Sequence, residues 1–167
     1  MIPKNMVSPG GPASALQPCK TIPLQRILVV DDEPDIRQLN TEVLTESGYK
    51  VDVAEDGAVA WQALNTRSYD LLITDNEMPK VSGVELLEKL HDARMPLPVI
   101  MVSGTMPTEE LQRHLWLDIH TILPKPYTIA ELLAKVKEVL CATAGARKRI
   151  TSFQNYQSQP SVGRLRA

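Results

Sequence analysis

The chain predicts an α/β fold, a doubly wound parallel sheet of five strands. Three observations carry that expectation. Short apolar runs alternate with longer segments in which apolar residues recur at i, i+3 and i+4. The runs have strand length and are separated by Gly, Pro, Asp and Asn, which punctuate turns. The chain is 43% hydrophobic, yet Phe153 is its one Phe and Trp61 and Trp116 its two Trp, so the core must be aliphatic. Regular βα alternation implies parallel strands with helices on both faces of the sheet.

The elements follow in order. Residues 26–30 read as a buried strand, apolar at successive positions. Pro34 suits the first turn of a helix; Ile36, Leu39, Val43 and Leu44 then recur at helical spacing until Gly48 stops it. Val51 and Val53 mark a second strand, and Val59, Ala60, Ala63 and Leu64 a helix opened near Asp56-Gly57. Residues 70–74 form strand three, followed by a helix carrying Val84, Leu86, Leu87 and Leu90. Val99-Ile100-Met101-Val102 is strand four. A helix opened near Thr108 carries Leu111 and Leu115, with Glu109 and Glu110 suited to its positive end. Thr121-Ile122-Leu123 is strand five. The last helix opens on Thr128-x-x-Glu131, a capping box, and runs through Ile129, Leu132, Leu133, Val136, Val139 and Leu140.

These units occupy residues 25–141 and are expected to make one domain, with flanks too short for a typical second one. Residues 1–24 carry Pro3, Pro9, Pro12, Pro18, Pro23 and Gly10-Gly11, with too little apolar surface to offset ordering entropy, and read as a flexible leader. Residues 142–167 read as a basic tail, disordered or partly helical through Arg147-Lys148-Arg149. All 20 acidic residues lie between Asp31 and Glu138, a window with 10 of the 18 basic residues and a net charge of −10, although the whole chain carries only −2. The basic run is a solvated charge cluster, without the helix-turn-helix or aromatic platform that reading bases requires. Cys19 and Cys141 have no metal or disulfide spacing and read as reduced thiols. With no apolar run of membrane-span length and no secretory h-region, a cytoplasmic location is expected.

Three predicted strands end on charge. Val30 runs into Asp31-Asp32, Thr74 into Asp75 and then Asn76-Glu77-Met78-Pro79, and Leu123 into Pro124-Lys125-Pro126. Each has a bland reading: Asp31-Asp32 as a helix cap, Asp75 as a turn residue, Lys125 as a surface lysine, Ser103-Gly104 as an ordinary loop. None of these readings brings the residues to one place. The carboxyl edge of a parallel sheet does, and that edge is where open α/β folds bind ligands. A carboxylate there, beside other acids and a lysine, suits acceptance of a phosphoryl group.

Taken in register, Asp31-Asp32, Asp75 with Met78-Pro79, Ser103-Gly104 and Lys125-Pro126 resemble the receiver domain of two-component response regulators over roughly residues 24–141. The resemblance implies a flavodoxin-like (βα)5 fold of the chemotaxis-receiver kind, with strand order 2-1-3-4-5. It implies Asp75 as nucleophile and phosphorylation site, with Lys125 and Ser103 completing the catalytic set. It implies Mg²⁺ held by Asp32 and Asp75 with the Glu77 backbone carbonyl, and by Asp31 largely through water. A cation is needed because two carboxylates about 4 Å apart repel by roughly 4 kcal/mol at an effective dielectric near 20. Lys125 would be a fixed cation preceding a cis Pro126, and Ser103 a hydroxyl donor, helped by backbone N–H groups near Asn76 and Gly104. The implied phosphodonor is a histidine kinase or phosphotransfer protein. Output would pass to a downstream protein through the fourth helix, fifth strand and fifth helix, or through a phosphorylation-dependent homodimer, with no nucleic-acid-binding domain and no membrane part. Enzymatic activity would be limited to self-phosphorylation and autodephosphorylation at Asp75.

The chain departs from the family at Ile122, where many receivers carry Tyr or Phe; an aliphatic side chain repacks but has no ring to turn inward. Glu77, beside the expected phosphoryl pocket, suggests altered cation binding or acyl-phosphate lifetime. A receiver-fold scaffold that works without phosphorylation is one alternative. A haloacid-dehalogenase-type phosphatase is another, but its nucleophile ends strand one in a DxD arrangement, whereas the isolated aspartate here ends strand three. His91, His114 and His120 fall in different elements without metal-ligand spacing and read as surface residues.

Overall fold

Strands β1 (Arg26–Val30), β2 (Lys50–Ala54), β3 (Leu71–Asp75), β4 (Val99–Ser103) and β5 (Thr121–Pro124) form one sheet. The computed structural model describes residues 24–104 and 119–157, with 145–157 described by backbone alone. The sheet order is β2-β1-β3-β4-β5, and every pair is parallel. Helices α1 (Pro34–Glu46), α2 (Gly57–Thr66), α3 (Gly83–Asp92) and α4 (Ile129–Gln157) connect and flank it. The helix predicted near Thr108, like His114, lies outside the described residues.

Alternate residues of the strands feed two separate cores, as a pleat requires. Leu28, Val30, Leu72, Val99 and Met101 pack with Ala60 and Leu64 of α2 and Leu86, Leu87 and Leu90 of α3. Ile27, Val29, Leu71, Ile73, Ile100, Val102 and Leu123 pack on the other face with Leu44 of α1 and Leu132, Val136, Val139 and Leu140 of α4. β3 and β4 are buried along their whole length, which is why both read as unbroken apolar runs. Each buried Leu, Ile or Val contributes about 1.5–3 kcal/mol relative to exposure. The sheet therefore supplies a rigid base for its carboxyl edge.

Local signals set the helix starts. Asp56 caps α2 by accepting from the Val59 N–H at 2.8 Å. Thr128 and Glu131 form the expected capping box on α4. A second box, Ser82 with Glu85, opens α3 and was not read from the sequence. Gly48 ends the α1 turn at φ 90°, a left-handed conformation that favours glycine.

Two expectations are corrected. Strand three includes Asp75, so the carboxylate sits within the sheet rather than after it. On α1 the stripe is rotated: Asn40 and Leu44 are buried, whereas Leu39 is 43% exposed and Ile36 and Val43 are half-buried. α4 runs as one helix well beyond Leu140, its last buried described residue, to Gln157.

Candidate functional site

The register aligns the charged strand ends. Val30 pairs with Thr74, Asp75 with Val102, and Ser103 with Pro124. Asp31, Asp75, Ser103 and Lys125 therefore fall on one edge. Asp31 and Asp75 are each 3% exposed and Ser103 2%, while Asp32 is exposed.

The Lys125 Nζ donates to Asp75 Oδ2 at 2.6 Å and lies 3.9 Å from Asp31 Oδ2. Its backbone N–H donates to the Ser103 carbonyl at 2.8 Å, which ties the lysine to the end of β4. The Lys125–Pro126 bond is cis, as expected. Asp75 Oδ1 accepts from the Glu77 N–H at 3.2 Å. Near Asn76, whose own N–H is committed to the Val102 carbonyl at 2.9 Å, Glu77 is the backbone donor that faces the carboxylate. Glu77 itself is exposed, and its Oε1 reaches toward Gly104: a Cβ built there would lie 3.9 Å away. Gly83 closes the loop after β3; any side chain there would collide with the Asp75 carbonyl.

Asp31 is not a helix cap. Its Oδ1 accepts from the Glu33 N–H at 2.9 Å, and Glu33 occupies the α1 cap position without a side-chain capping bond. The Arg37 guanidinium meanwhile holds the Asp31 carbonyl at 2.6 Å. Burial pushes the Asp31 carboxyl up from its usual value; the Glu33 N–H and Lys125 oppose this, and the charges of Asp75 and Asp32 add to it. For Lys125, burial disfavours the ammonium. The Asp75 hydrogen bond and the charges of Asp75, Asp31 and Glu33 outweigh it and hold the pKa above the usual lysine value. The lysine is therefore a fixed cation at neutral pH.

Asp31, Asp32 and Asp75 each offer a carboxylate oxygen, all within 4.8 Å of one another. Among the described residues, three carboxylates face the Lys125 ammonium and the Arg37 guanidinium on the Asp31 carbonyl, so the cluster stays net negative. Hard oxygen donors with that charge deficit fit a small divalent cation such as Mg²⁺. Beside them an open groove of about 390 Å³ is lined by Glu33, Ile36, Leu39, Lys125, Pro126 and Tyr127. Tyr127 pairs with the buried Asn40, whose Nδ2 donates to the phenol oxygen at 3.0 Å. Sequence reasoning missed that pair; a polar residue beside the α1 stripe was the one available signal. His91 and His120 are exposed and lie outside this cluster.

Residues 27–137 match the response regulator receiver domain family. The chain is 33% identical over 115 residues to the transcriptional regulatory protein CusR of Escherichia coli (strain K12), covering 69% of this chain and 51% of that protein. It is 33% identical over 138 residues to the response regulator RppA of Synechocystis sp., covering 81% of this chain and 59% of that protein. The chain thus spans about half the length of the curated relatives it matches. Among solved structures, a CheY-like response regulator receiver domain protein from Methanospirillum hungatei JF-1 superposes with a TM-score of 0.70 at 31% identity, over 74% of this chain and 98% of that one. The response regulator TrrA from Thermotoga maritima, in complex with Mg(2+)-BeF, gives 0.61 at 36% identity, over 70% and 99%. Family match, strand order and the acid–lysine edge agree, and the chain belongs to the response regulator receiver domain family.

Proposed function

We propose that this chain is a phosphorelay receiver that accepts a phosphoryl group on Asp75 from a histidine kinase or phosphotransfer protein. The observation that carries this reading is the Lys125 ammonium 2.6 Å from Asp75, with Asp31 and Asp32 completing a carboxylate cluster. An Asp75 oxygen forms the new O–P bond, and the P–N bond to the donor imidazole breaks with its electron pair returning to the ring. Asp31, Asp32 and Asp75 with the Glu77 carbonyl would hold Mg²⁺, which would supply charge neutralisation for the approaching anions.

The chain's own residues do the rest by position. The Glu77 N–H and Lys125 orient the carboxylate from its two oxygens. Lys125 then follows the phosphoryl oxygens, and the Ser103 hydroxyl donates to one of them. The groove along Ile36, Leu39 and Tyr127 offers apolar surface next to Asp75 for the donor protein. Output is a change in protein contacts around β5 and α4, where the half-buried Ile122 repacks in place of an aromatic ring. Action as a stand-alone receiver belongs to this proposal too. A phosphorylation-independent scaffold is what remains if Asp75 is not modified.

Incubation with acetyl phosphate and Mg²⁺, read by intact mass and oligomeric state, tests it. Wild type should gain one phosphoryl group and Asp75→Asn none. An unmodified wild type would sink the proposal.

A further inference from the structure

The segment after β3, residues 76–82, carries the Glu77 N–H that holds Asp75, and it is fixed from outside the site. At its far end the Gly83 N–H donates to the Asn76 carbonyl at 3.2 Å. At its crest Val81 presses on α2, where a Cβ at Gly57 would come within 2.6 Å of the Val81 Cγ1. Between them Lys80 Nζ donates to Asp56 Oδ2 at 2.6 Å.

That ion pair differs from an ordinary surface bridge. The Asp56 side chain is 2% exposed, although that of Lys80 is 66% exposed. Both Asp56 oxygens are used: Oδ1 caps α2 through the Val59 N–H, and Oδ2 takes Lys80. One carboxylate therefore joins the start of α2 to the loop that leaves Asp75. Lys80 also adopts φ 68°, a left-handed backbone that glycine or asparagine fills more easily. A long cationic side chain at such a position points to a role for the side chain.

We propose that Lys80 is a positioning residue. Its strut to Asp56 fixes the loop bearing Glu77, so that cation affinity at Asp31, Asp32 and Asp75 depends on a charge pair outside the site. The inference rests on the phosphorelay reading above and deepens it.

Lys80→Met keeps the chain length, the α2 cap and nearly the same packing; Lys80→Arg keeps the charge. Mg²⁺ affinity of the full chain is measured by titration calorimetry, and amide exchange of residues 77–81 is followed without metal. Removal of a positive charge should by Coulomb's law favour a nearby dication. A loss of affinity therefore reports position. Lys80→Met should weaken Mg²⁺ binding about tenfold, the scale on which groups that orient metal ligands act. It should speed exchange in the loop while the variant remains folded, and Lys80→Arg should restore both affinity and protection. Unchanged or tighter binding in Lys80→Met overturns the strut while leaving the phosphorelay reading intact. A wild type that binds no Mg²⁺ overturns both.

Discussion

The two sides of the sheet each carry a charge cluster, and they are built on opposite terms. On the amino-terminal side, Asp52 Oδ2 accepts from Arg26 at 2.8 Å, the Tyr69 hydroxyl at 3.0 Å and Arg67 at 3.3 Å. Asp70 accepts from the Arg26 N–H at 2.9 Å. Asp52 meets two guanidinium groups and Asp70 a backbone amide, so the Asp52 carboxylate is matched by its own cations. At the carboxyl edge, Asp31, Asp32 and Asp75 crowd together, and among the described residues Lys125 is the cation that pairs with Asp31 and Asp75. Balanced charge joins strands and asks for nothing further. At the edge, burial first and the charges of Asp75 and Asp32 after it raise the Asp31 pKa, against the Glu33 N–H and Lys125, a balance that fits the proposed cation and phosphoryl chemistry.

The comparison breaks most sharply at Lys125. Lys125→Met should slow phosphorylation from acetyl phosphate by roughly 100-fold, the scale of losing one charge-stabilising donor. It should also tighten Mg²⁺ binding, since a competing cation is gone. Calorimetry and intact-mass kinetics on one preparation give both, and weaker Mg²⁺ binding would contradict the charge argument.

On the balanced side, Asp52→Asn should cost about 1–2 kcal/mol at neutral pH, a charged hydrogen-bond network discounted for its exposed Arg67. Mg²⁺ affinity and phosphorylation should not change. Burial works against the Asp52 carboxylate, but bonds from Arg26, Tyr69 and Arg67 outweigh it and place the pKa below the ordinary 3.8. A depressed carboxylate stabilises the fold above its unfolded pKa and loses that contribution as pH falls through the folded one. Melts of wild type and variant should therefore diverge above pH 3.8 and converge below it. A constant gap would rule out the network as the source.

The smallest expected effect sharpens the unbalanced side. Glu77→Ala removes an exposed carboxylate near Gly104 and should change Mg²⁺ affinity or acyl-phosphate lifetime by only about 2–5-fold, as screened surface charge does. Identical values for both quantities would remove Glu77 from the site.

Much of this was legible along the chain. The apolar runs that became β1, β3, β4 and β5 are bounded by turn residues and lie within a residue of the observed strands. Asp31, Asp75, Ser103 and Lys125 could be placed on one edge because each follows or ends such a run. The caps Asp56 and Thr128 were equally plain, since a cap is a contact over three residues. The errors have a common cause. Periodicity names the repeating positions of α1 but not the angle at which the sheet meets them, so Leu39 is exposed and Asn40 buried.

The linear pattern of apolar and turn residues was enough for the α/β class, the strands and the identity of the charged edge, because those follow from local propensity and burial. The polar links that tune the edge were not: Lys80 meets Asp56 across 24 residues and Asn40 meets Tyr127 across 87. Such pairs exist only once strand order and loop geometry bring distant segments together, and no spacing rule along the chain encodes that distance.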